Sequence, residues 1–171
     1  MHHTFTDAAA AVAPTDYDLL LAQARALLEG ETDPVANAAN LAALCWQSLP
    51  DISWVGIYFW RADALILGPF QGKPACTRIA NGAGVCGRAM QTLEVQRVAD
   101  VHAFPGHIAC DSASASELVV PIVDGAVVHG VWDIDSTRSA RFTEADAQGV
   151  AALMQVYCAS LRQAHTRSAH G

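Results

Sequence analysis

The chain is short of charge: 16% of its residues are Asp, Glu, Lys or Arg, while 52% are hydrophobic. That balance excludes a disordered chain, which lacks the apolar surface needed to offset chain entropy. Positive charge is scarcest, with ten Lys and Arg against seventeen Asp and Glu for a net of -7. Phosphate backbones are repelled by such a surface unless a basic patch gathers somewhere. The one gathering, Arg162, His165, Arg167 and His170, reads as a solvated tail, so no nucleic acid partner is expected. No run approaches the roughly 18 apolar residues of a membrane span, and MHHTFTDAAAAVAP carries no positive n-region. No membrane association and a cytoplasmic location are therefore expected. Neither G-x-x-x-x-G-K-[ST] nor G-x-S-x-G occurs, which removes support for the P-loop and nucleophile-elbow classes. Zinc spacings of the CxxC or HxxxH kind are missing too, so no zinc site is expected.

A chain of 171 residues suits one domain. Residues 1–14 show no period and are expected to form a mobile arm, 15–162 the domain, and 163–171 a polar tail. Thr15-Asp16-Tyr17-Asp18 resembles a capping box, and Tyr17, Leu20, Ala24, Leu27 and Leu28 then repeat at helical spacing up to Gly30. Asp33-Pro34 opens a second helix that Pro50 ends. From Ser53 to Trp60, alternation puts Trp54, Gly56, Tyr58 and Trp60 on one strand face and Val55, Ile57 and Phe59 on the other. Arg61-Ala62-Asp63 turns the chain into a partner strand, Leu65–Leu67, after which GPFQGKP (68–74) reads as a loop. A short strand at Cys76–Ile79, a helix at Val85–Leu93 and a strand at Val95–Val98 follow. The segment 100–117 then lacks any core period, a length of connection that usually carries function. Two strands, Leu118–Val123 and Val127–Ile134, meet at Asp124-Gly125, a hairpin signal. Thr143-Glu144-Ala145-Asp146 again resembles a capping box, and Val150, Leu153, Met154, Tyr157 and Leu161 form the core stripe of the closing helix. This order predicts an α+β domain, a central antiparallel sheet flanked by helices.

Five cysteines cannot all pair within one chain, and a domain of this size does not need disulfides to fold. Cys45 and Cys158 fall inside helices and are expected to be buried small hydrophobes. Cys76, Cys86 and Cys110 fall on loops, a strand edge or a helix start, and at Cys86 and Cys110 the access and the favoured thiolate that a catalytic thiol needs are both expected. Cys86 lies near a helix start, and Cys110 follows His107 by three positions. Acidic residues form a second constellation. Asp133 and Asp135 share one strand face, roughly 7 Å apart by two residue rises, and Glu117 begins the neighbouring strand. Carboxylates aimed together can bind an ammonium group or hold a proton for a leaving oxygen. Trp54 and Tyr58 stand at a spacing that lets both wall one pocket, although core packing explains most such pairs.

Read together, GPFQGKPACTRI (68–79), GAGVCGRA (82–89), DVHAFPGHIACDSASASELVVPI (100–122) and GVWDIDS (130–136) closely resemble the free methionine-(R)-sulfoxide reductases, from about Trp54 to Asp146. The resemblance implies a GAF-type fold whose pocket holds free methionine sulfoxide. It implies Cys110 as the catalytic cysteine, Cys76 as the usual resolving cysteine and Cys86 as a third motif cysteine. It also implies Trp54, Tyr58, Glu117, Asp133 and Asp135 as the substrate pocket, with Asp135 or Glu117 the proton donor. Sulfenic acid and disulfide chemistry, with thioredoxin as the external reductant and no bound cofactor, would complete the cycle. Helices flanking a GAF sheet often pair, so a homodimer is compatible with it. Two other readings stay open at this point: a ligand-binding GAF sensor, and a thiol switch built on Cys76, Cys86 and Cys110 without turnover.

Overall fold

The apolar alternation of Trp54–Arg61 determines the architecture, because a strand with two apolar faces must be covered on both. In the computed structural model, which describes residues 13–106 and 112–168 with side chains as far as residue 162, this strand is β1. It lies between β2 (Ala64–Gly72) and β6 (Val127–Ser136) in a six-stranded sheet. The remaining strands are β3 (Arg78–Ala80), β4 (Gln96–Val98) and β5 (Ser116–Asp124), and the order across the sheet is β3-β2-β1-β6-β5-β4. Every pairing is antiparallel. The helices are α1 (Tyr17–Leu27), α2 (Pro34–Ser48), α3 (Gly84–Thr92) and α4 (Glu144–Ser168). The predicted α+β class and flanked antiparallel sheet are thus the observed ones.

Two cores result, one per sheet face. Val55, Ile57 and Phe59 of β1 pack with Trp132 and Ile134 beneath α1, α2 and α4. Cys45 and Cys158 are buried there, as expected. Trp54 and Tyr58 point to the opposite face, where Val85, Cys86, Ala89 and Met90 of α3 cover them. α4 begins with the reciprocal cap expected of Thr143 and Asp146: Asp146 N–H donates to Thr143 Oγ1 at 3.2 Å and Thr143 N–H donates to Asp146 Oδ2 at 2.7 Å. Tyr17 Oη also donates to Asp146 at 2.8 Å, tying α1 to the start of α4.

Several expected boundaries move. The first cap is Asp16, which accepts from Leu19 N–H at 3.0 Å, so Thr15 stands outside the helix. GPFQGKP is not a loop throughout, since β2 runs on to Gly72. Glycine and proline are tolerated there because Gly68 and Pro69 sit at a register shift opposite Ile57, where proline's missing N–H has no ladder partner to satisfy. β3 starts at Arg78, leaving Cys76 before the strand. The β5–β6 turn is Gly125-Ala126, one residue later than expected, because Asp124 still pairs with Val127. Helical backbone in α4 continues past 162 into the segment read as a tail. Among the described residues no helix is long and apolar enough to cross a membrane.

Candidate active site

Strand register brings the acids together. Asp135 pairs with Glu117 on β5 and with Trp54 on β1, so these three side chains form one row on one face. Asp133, two residues back on β6, points the same way and pairs with Val119 and Gly56. Gly56 is required by its neighbours: a Cβ there would come within 2.4 Å of Phe70 Cβ and 2.7 Å of the Trp54 ring. The space is taken by stacked aromatics. Trp54 and Tyr58 have ring centroids 5.9 Å apart, and Phe70 stacks on Trp54 at 5.3 Å.

The pocket bounded by this row is lined by Trp54, Tyr58, Glu117, Asp133, Asp135 and Cys86, among others. Six of the sequence-predicted site residues therefore meet at one cavity. Cys76 packs at its edge, where Tyr58 Oη donates to the Cys76 carbonyl at 3.0 Å and Trp54 Nε1 donates to the Lys73 carbonyl at 3.1 Å. Cys76 is disulfide-bonded, whereas Cys45, Cys86 and Cys158 are free. Cys110 and His107 lie outside the described residues.

Burial controls the electrostatics. Desolvation raises the Glu117 carboxyl well above its usual range, and the neighbouring Asp133 and Asp135 push it further the same way. Burial likewise raises Asp133, to about 6. The expectation that a helix start makes Cys86 a ready thiolate is corrected by its surroundings. Burial and the negative charges of Asp133 and Glu117 push that thiol well up, and its Sγ donates to Glu117 Oε1 at 3.9 Å. Carboxylates outweigh the weak positive end of α3 at this position. Carboxyls raised in this way keep their proton to higher pH than exposed ones, and a carboxylic acid so placed can deliver a proton to a departing oxygen.

Five residues that shape the site lie outside the set expected from the sequence. Phe70 was hidden by treating GPFQGKP as a loop, and the alternation of β2 is the signal that places it. Ser114, buried at the pocket wall, comes from the aperiodic segment and gives no pattern of its own. Gly82 and Gly84, at φ 79° and 61°, turn the chain so that α3 starts against the pocket. With Gly87, whose Cβ would meet the Ala80 carbonyl oxygen at 2.5 Å, they complete a G-x-G-x-x-G spacing between a strand and a helix. The surrounding sheet is antiparallel, so this is not the parallel βαβ unit of a dinucleotide site.

An antiparallel six-stranded sheet with a helix-covered core on one face and a walled pocket under a short helix on the other is the arrangement of a GAF domain, and the GAF domain family matches residues 14–164. Among sequences, the Bacillus subtilis protein YtsP is 57% identical over 134 residues, 77% of this chain and 82% of that protein. The Escherichia coli free methionine-R-sulfoxide reductase is 54% identical over 129 residues, 75% of this chain and 78% of that one. Among solved structures, the free methionine-R-sulfoxide reductase of Neisseria meningitidis in complex with its substrate superposes with a TM-score of 0.82 at 41% identity, covering 90% of this chain and 96% of that one. The chain belongs to the free methionine-R-sulfoxide reductase family.

Proposed function

We propose that this protein reduces free L-methionine-R-sulfoxide to methionine. The observation that carries the reading is the convergence of Glu117, Asp133 and Asp135 with the stacked Trp54 and Tyr58 on one sheet face beside Cys76. The aromatic walls suit the methyl group and the partly positive sulfur, and the carboxylates suit the ammonium group and the sulfoxide oxygen. A small walled pocket disfavours a sulfoxide embedded in a peptide.

In the proposed cycle the Cys110 thiolate attacks the sulfoxide sulfur while a carboxylic acid protonates the oxygen. Methionine leaves, and Cys110 holds the oxygen as a sulfenic acid. Glu117 is suited to be that donor, because burial and two acidic neighbours favour its protonated form. The Cys76 thiol then condenses with the sulfenic acid, forming the disulfide and releasing water. An external dithiol of the thioredoxin class reduces that disulfide and is itself oxidised, so one sulfoxide and one dithiol give methionine, water and one disulfide. Cys86, buried and held protonated, is less suited to resolve. Thioredoxin-coupled NADPH consumption with the free R sulfoxide, run beside the S epimer and a blocked peptide, tests the reading. Consumption confined to the free R epimer is the expected result, and no consumption with a competent thioredoxin system contradicts it.

A further inference from the structure

Cys86 on α3, Glu117 on β5 and Asp133 on β6 each present one potential ligand atom, and the three atoms lie within 4.8 Å of one another. All three side chains are buried, at 4%, 6% and 6% exposure. The Asp133 side chain meets Cys86 and Glu117 and lines the same cavity, yet its buried Oδ1 has no hydrogen-bond partner. A buried acceptor of this kind is costly unless a proton, water or cation meets it.

We propose that Cys86, Glu117 and Asp133 form a three-ligand site for a thiophilic divalent cation of the zinc class, with its fourth position open to the pocket. One sulfur and two carboxylate oxygens make a mixed donor set that suits zinc, whereas magnesium and calcium take oxygen ligands alone. A tetrahedral ion sets such atoms roughly 3.5 Å apart. The Cys86–Glu117 pair stands at 3.9 Å already, and side-chain rotation of about 1 Å brings in the widest pair. Binding replaces the Cys86 proton and any carboxyl proton with the ion, so protons are released and the buried negative charge is partly neutralised. Motif spacing conceals the site because its ligands come from three elements rather than one hairpin or helix face. Glu117 and Asp133 also wall the pocket assigned to the sulfoxide. Cation and sulfoxide then exclude each other, a consequence that rests on the function proposed above; the site itself does not.

The test uses the full-length protein with Cys76 in its disulfide, titrated with Co²⁺ as the spectroscopic stand-in for Zn²⁺. Expected are one cobalt per chain, a thiolate-to-cobalt charge-transfer band in the near ultraviolet, and bleaching by one equivalent of Zn²⁺. Cys86→Ala should abolish the band, Asp133→Asn should weaken binding at least tenfold, and Cys45→Ala, altered on the far side of the sheet, should keep the band. Circular dichroism establishes that each variant is folded, and Cys86→Ser, closer in size, replaces Cys86→Ala should the latter fail to fold. Histidines alone give no thiolate band. A folded parent without the band, or a band that survives removal of the Cys86 thiol, overturns the proposal. The readout needs neither sulfoxide nor turnover, so that failure leaves the reductase reading standing.

Discussion

The hydroxyl of Tyr58 donates a 3.0 Å hydrogen bond to the carbonyl of Cys76, so a pocket wall and the proposed resolving cysteine are mechanically joined. Tyr58→Phe keeps the ring stacked on Trp54 and removes the tether alone. We predict unchanged single-turnover release of methionine but slower disulfide closure. A lost hydrogen bond of about 1 kcal/mol sets the scale at roughly fivefold. Rapid-quench trapping of free thiols measures the closure rate, and equal rates in parent and variant contradict the link.

The cysteines should separate by sheet face. Cys76→Ser is predicted to release about one methionine per chain from excess sulfoxide and then to stop, because the attacking thiol survives and the resolving thiol does not. Cys45→Ala and Cys158→Ala lie in the opposite core and should turn over at the parental rate. Their cost is stability, about 1 kcal/mol each for loss of a buried sulfur. Thermal melts and steady-state rates on the same samples decide the point.

The fold's two faces were legible in the sequence because both rest on local chemistry. Asp33-Pro34 is a cap followed by proline at the first helical position, and the structure keeps it, with Asp33 accepting from Val35 and Ala36 N–H. The alternation of Trp54 through Phe59 likewise needed no tertiary information. What required tertiary information was missed or displaced. β2 outlasts its expected end because β1 offers partners as far as Gly72. The neighbourhood of Cys86 depends on α3 lying across β5 and β6, so a helix-start argument alone gave its thiol the wrong tendency. The acids were legible as a pair on β6, while their meeting with Trp54 follows from β1 lying beside β6, which no local signal specifies.

Gly56→Ala should damage the pocket without touching a reacting group. The added Cβ would sit 2.4 Å from Phe70 Cβ and 2.9 Å from its Cα, and the backbone of β2 cannot yield freely. Overpacking of this kind costs roughly 1–3 kcal/mol, or about 2–10 °C in Tm for a domain of this size. The apparent affinity for the sulfoxide should fall with it. A variant with parental Tm and affinity would show that the stacked walls adjust freely.

Stability should carry the signature of the raised carboxyls. Burial lifts Asp133 from 3.8 to about 6, which at about 1.4 kcal/mol per tenfold corresponds to on the order of 3 kcal/mol. The native state binds the extra proton, so this contribution is fully present below pH 3.8, fades as pH rises through about 6, and is absent above. Asp133→Asn cannot ionise. It should be more stable than the parent at pH 7.5, with the gap closing toward pH 4, as read by urea unfolding at each pH. A gap that does not depend on pH contradicts the assigned shift.

The central claim is tested most directly by counting methionine. Reduced protein is mixed with excess free L-methionine-R-sulfoxide in the absence of any reductant, and methionine released per chain is measured for the parent, Cys110→Ser and Glu117→Gln. The account predicts about one equivalent from the parent, none from Cys110→Ser, and from Glu117→Gln a rate lower by roughly 10²-fold or more at saturating sulfoxide. Release from Cys110→Ser at the parental level, or equal release from the S epimer by the parent, would contradict it.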